Sequence, residues 1–197
     1  ESEPTAQEDI TVPAPQSIKA SLKHLFDVDN LVIHSNNPDF PLPDNYRDDF
    51  INALNYWDSA VWYPEYITSM INRRDQQITL NVYLEDPLFP VDSNVQRWNS
   101  DTQSWEQEDH LPEQTMARAG ATSGCCNVDG QLVWGKFFPT SGRVRINKRY
   151  FDNGDFTKTD HQNQTEFYHT IRHEICHILG ISSTFFLDLD GSPISQY

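Results

Sequence analysis

The chain has 197 residues, enough for one domain with a real hydrophobic core, and it carries 29 Asp and Glu against 14 Lys and Arg, a formal charge of −15. That balance argues against nucleic acid or an anionic membrane surface as the partner, because both are polyanions. No run approaches the roughly 18–20 apolar residues that a bilayer span requires, so no membrane-spanning segment is expected.

The sequence opens at Glu1 with no basic stretch and apolar segment behind it, so any signal or pro-segment is expected to have been removed already. Glu1 to Gln16 is acidic, carries Pro4, Pro13 and Pro15 and lacks apolar periodicity; residues 1–16 therefore read as a flexible arm, and 17–197 as the folded unit. Ser17 to Phe26 reads as a short helix. Leu31-Val32-Ile33 reads as a first strand before the turn residues Asn36-Asn37-Pro38 and Pro41-Leu42-Pro43. From Asp44, Tyr46, Phe50, Ala53, Leu54, Trp57 and Val61 recur at helical spacing, with Asp44 expected as N-cap. Among the neighbouring aromatics Tyr56, Trp57, Trp62 and Tyr63, this spacing favours core or core edge over a carbohydrate platform.

Ile78, Leu80, Val82 and Leu84 then alternate with Thr79, Asn81 and Tyr83, the period of a half-buried central strand ending at Glu85-Asp86-Pro87. Phe89 to Gly124 is long and polar and is expected to be mostly loop with one hidden strand, a length that itself points to a missed element or a functional loop. Its acidic residues Glu106, Glu108 and Asp109 fit no calcium-loop spacing and read as solvated surface. Gln131–Phe138 and Gly142–Ile146 are expected as two strands joined by a Pro139-to-Gly142 turn. Asn163-Gln164-Thr165 is the single N-x-S/T sequon.

The last helix is predicted from the stripe Phe167, Ile171, Ile175, Ile178 and Leu179, stopped by Gly180 in a left-handed C′ position. It contains His173-Glu174-Ile175-Cys176-His177, the H-E-x-x-H pattern of a zinc peptidase helix. Residues four apart share a helix face, so His173 and His177 can present imidazoles to one metal ion, expected to be Zn2+. Glu174 beside them is then the expected general base for water. Cys176 lies between the histidines and reads as a small buried thiol rather than a nucleophile. A catalytic zinc takes three protein ligands, and the motif supplies two. His161, Glu166 and His169 upstream, or Asp188 and Asp190 downstream, are candidates for the third, although each reads more simply as a solvated residue. Ser183 is a poor zinc donor.

The order strand, helix, strand, further strands and metal helix predicts an α+β fold, a twisted mixed sheet of about four to five strands backed by two long helices. The stretch His173-Glu174-Ile175-Cys176-His177-Ile178-Leu179-Gly180-Ile181-Ser182 resembles the leishmanolysin family of metzincin peptidases, with Ser183 where most metzincins have a third His. Cys125 to Phe138 and Gly142-Arg143-Val144-Arg145-Ile146-Asn147 are loosely similar to further segments of that family, so the resemblance spans Cys125 to Ser195. It implies a secreted or cell-surface metalloendopeptidase, with zinc on His173 and His177 and Glu174 as base. It also implies a polypeptide substrate paired along an edge strand, expected to be Gln131 to Phe138. No His follows His177, and Met70 and Met116 both precede the motif, so the family's Met-containing turn and lower subdomain are expected to be absent. A C-terminal fragment or a second chain is then the expected source of the third ligand. The alternative is a catalytically inactive binding or structural protein on the same fold.

Overall fold

A computed structural model of the chain describes residues 25–60, 77–125, 127–128, 131–132 and 138–181. The expected N-terminal arm, Val61, Trp62, Tyr63 and the residues after Ile181 lie outside these.

Three strands run parallel: β1 (Val32–Ser35), β2 (Thr79–Glu85) and β8 (Phe138–Asn147). β5 (Ala117–Cys125) pairs antiparallel with β8, giving a mixed four-stranded sheet of order β1-β2-β8-β5. Parallel neighbours need a crossover, and α1 (Asp44–Ala60) supplies it between β1 and β2. The α+β class, the central position of β2 and the α1 stripe are as the periodicity predicts. Asp44 differs in detail. The Arg47 N–H donates to the Pro43 carbonyl, so Asp44 sits in the first turn, where its charge favours the helix dipole.

One face of the sheet is covered by α1 and by α3 (Glu166–Ile178), with the four-residue helix α2 (Arg149–Asp152) between β8 and α3. Phe50 and Leu54 of α1, Val82 and Leu84 of β2, Val144 and Ile146 of β8, and Ile171, Ile175 and Ile178 of α3 form the core, joined by Phe26, Phe156 and Phe167. Phe26, expected in a helix, bridges Ile78 as extended chain instead, because its buried ring is worth more against β2 than local helix propensity. Gly142 lies under the end of α3: a Cβ there would come within 2.7 Å of Ile178, so glycine lets the helix settle onto β8.

The predicted turn from Pro139 to Gly142 does not exist; β8 runs straight through it. Pro139, which lacks an N–H, faces Gly124 where the β5 register shifts, and β2 joins β8 only from Ser141, so proline interrupts no ladder on that side. Within the stretch expected to be mostly loop lie β5 and the hairpin β3 (Gln96–Asn99) and β4 (Ser104–Gln107), clamped by facing rings of Trp98 and Trp105 5.6 Å apart. Gln131–Leu132 forms β7, paired with β6 (Asn127–Val128) in a separate ladder; the rest of that expected strand before Phe138 lies outside the described residues.

The sheet face opposite the helices is held by charge. Buried Arg145 (3 % exposed) donates through Nε and Nη2 to both carboxylate oxygens of buried Glu85, through Nη1 to Glu108, and to the Asp109 carbonyl. Arg143 also pairs with Glu108, while Glu106 accepts from Asn99 and Thr102. The acidic cluster expected as solvated surface therefore includes a structural pin, Glu108, which fastens the segment before β5 to the sheet. No helix among the described residues is long and apolar enough to cross a membrane.

Candidate metal centre

Helix α3 is fixed at both ends and along its side before it presents any chemistry. The Thr165 side chain caps its N-terminus, accepting from the Tyr168 N–H at 3.0 Å, while the same hydroxyl donates to Asp49 of α1 at 2.6 Å. One turn before the motif histidines end, the Trp57 indole N–H of α1 donates to the Arg172 carbonyl at 2.9 Å. At the C-terminus Gly180 takes φ +81°. Its N–H bonds the His177 carbonyl and the Ile181 N–H bonds the Cys176 carbonyl, a Schellman closure that meets the expectation for this glycine.

With Ile171, Ile175 and Ile178 buried against the sheet, helical geometry turns His173 and His177 away from the core. Their Nε2 atoms lie 3.2 Å apart and their rings stand nearly perpendicular. Two imidazole nitrogens at about 2.0–2.1 Å from one tetrahedral ion stand roughly 3.3–3.4 Å apart, so the separation fits a shared metal. His173 is exposed, His177 half-buried and Glu174 buried at 8 % exposure; one ligand atom from each of the three falls within 4.8 Å of the others, a group that can hold a metal ion.

Glu174 faces β5, where the Ala119 backbone N–H lies close enough to favour its charged form. Burial pushes its carboxyl above the ordinary range, opposed by the nearby His177 and His173, the Ala119 N–H and the Arg118 charge. The carboxylate thus lies beside sequence-distant backbone, which no motif could disclose. The small residues Ala117, Ala119 and Ala121, alternating on one face, were the available signal, since they let a strand approach a helix closely. Among the described residues the edge of the four-stranded sheet beside the motif helix is β5; most of the expected edge strand Gln131 to Phe138 lies outside them.

The upstream ligand candidates are not brought to this group. His169 Nε2 is engaged with Asp160 Oδ2 at 2.9 Å, and Asp160 in turn accepts from the Gln162 and Gln164 N–H groups. His161 and Glu166 are exposed. Asp188, Asp190 and Ser183 lie outside the described residues, and among those described no third histidine, cysteine or carboxylate joins His173, Glu174 and His177. Cys176, expected as a buried thiol, is half-exposed, its Sγ 3.6 Å from the Ile181 carbonyl; burial and the neighbouring Glu174 push its thiol pKa up, which keeps it protonated and a poor nucleophile. Tyr56 is exposed beneath the Arg172 guanidinium, 4.8 Å from the ring, whereas Trp57 packs at the core edge.

Comparisons with protein-family models, with curated proteins and with solved structures find no match to this chain.

Proposed function

We propose that the chain is a zinc-dependent endopeptidase of leishmanolysin-like type, acting outside the cell on polypeptide substrates. The observation that carries this reading is the convergence of the His173 and His177 Nε2 atoms at 3.2 Å beside the buried Glu174 carboxylate. His173 and His177 would hold the ion; zinc, when bound, supplies a Lewis acid that acidifies water and polarises a carbonyl. Glu174 takes the proton of the attacking water and returns it to the leaving amine. The nearby Ala119 N–H favours the charged form of that carboxylate, and the backbone of β5 offers hydrogen bonds along which an extended peptide can lie. A third donor comes from residues outside those described or from another chain.

A second reading, a non-catalytic binding protein on this fold, is favoured by one observation: only two imidazoles converge among the described residues. Incubating the zinc-supplemented chain with a denatured protein separates the two. Cleavage that falls about 10²–10⁴-fold in Glu174→Gln supports the peptidase. Absence of cleavage in the wild-type chain, alone and with every copurifying polypeptide retained, supports the binding protein.

A further inference from the structure

The geometry points to Arg118 as a specificity-determining residue that selects an acidic side chain in a peptide lying along β5; this rests on the peptidase reading above. Arg118 is exposed on the strand whose outer edge is unpaired within the four-stranded sheet. Ala117 on its one side is buried against the core and Ala119 on its other packs there too, so strand alternation turns Arg118 to the opposite face. Its register partner on that face is Arg145. Like charges directly opposite are unfavourable, and relief from the β8 side is closed because Glu85 and Glu108 are already committed to Arg145.

Most other described cations are engaged. Arg143 and Arg149 have carboxylate partners, Lys148 and Lys158 likewise, Arg47 donates to the Leu31 carbonyl, Arg97 has Glu106 opposite it across its hairpin, and Arg172 lies over two tyrosine rings. The Arg118 side chain makes no hydrogen bond or ion pair among the described residues, in a chain with 29 Asp and Glu and 14 Lys and Arg. A strand added outside β5 places one side chain on Arg118's own face, with Cβ atoms about 4.5–5.5 Å apart for directly opposed residues. A carboxylate there meets a guanidinium that has no side-chain partner among the described residues. Because the chain as a whole is strongly anionic, the selected peptide carries one acidic residue at that position and not a run of them.

The test uses the full chain with zinc and a set of fluorescent peptides that differ only by Glu or Gln at one position, moved along the sequence. Binding is read by anisotropy and cleavage in parallel by mass spectrometry. At one position Glu should bind about two- to five-fold more tightly than Gln, the preference vanishing in Arg118→Gln and reversing in Arg118→Glu. That pattern supports the assignment whether or not the peptides are cut; binding without cleavage counts against the peptidase reading alone. Equal binding of every Glu and Gln pair, a preference that survives Arg118→Gln, or no binding of any peptide overturns it.

Discussion

The Ala119 backbone N–H of the edge strand lies beside the Glu174 carboxylate, the acidic group buried next to two converging imidazoles. This N–H points away from β8, so Ala119→Pro removes it without taking a bond from the β5–β8 ladder. Metal binding should stay within a few-fold of wild type while kcat/KM falls at least about ten-fold, because the base is present but loses the N–H that favours its charged form. Zinc titration alongside peptide hydrolysis checks both halves.

Arg145 and Glu85 are each 3 % exposed, and their pairing fastens the sheet's outer face. Arg145→Met leaves Glu85 charged and buried, at a cost of about 3–5 kcal/mol. Glu106→Gln, in the hairpin, should shift the unfolding midpoint far less than Arg145→Met does. Urea unfolding of the two variants gives the comparison.

Asp86 sits beneath the loop after β2. Burial pushes its carboxyl up, but hydrogen bonds from the Leu88 N–H and Asn37 and the charge of Lys148 outweigh this and hold it below the ordinary value. A carboxyl depressed in the folded state contributes stability that is complete above its unfolded pKa of about 4 and is lost as pH falls through the folded value. Asp86→Asn should therefore be less stable than wild type at pH 7, with the gap narrowing below about pH 4. Unfolding free energies measured from pH 7 to pH 2 show whether it narrows or stays constant.

Gly142 gives Ile178 its space. Gly142→Ala should destabilise by about 1–3 kcal/mol through overpacking. Adding Ile178→Val should recover part of that loss, a favourable coupling in a double-mutant cycle, because the clash is with the isoleucine side chain.

The parts of this fold legible in the sequence are those whose signal is local. The α1 stripe from Tyr46 to Leu54, the alternation of β2 and the α3 stripe ending at Gly180 each repeat at their own period, and the structure bears them out. β5 was illegible because Ala117-Arg118-Ala119-Gly120-Ala121 has little strand propensity of its own; it is extended because β8 offers a partner and α3 needs small neighbours. Pro139 misled for the converse reason, a strong local turn signal overridden where the strand has one neighbour and an irregular register. At the site, the His173, Glu174 and His177 spacing reads directly from helical geometry, while the Ala119 N–H and the Thr165 and Trp57 anchors join residues far apart in the chain and belong to tertiary packing.

X-ray absorption of the zinc-loaded chain, with metal stoichiometry on wild type and variants, tests the metal centre most directly. The expected result is one zinc per chain with two imidazole nitrogens at about 2.0–2.1 Å, lost in His173→Ala and in His177→Ala and retained in Glu174→Gln. Zinc that is absent, or that binds equally in the two histidine variants, would contradict it.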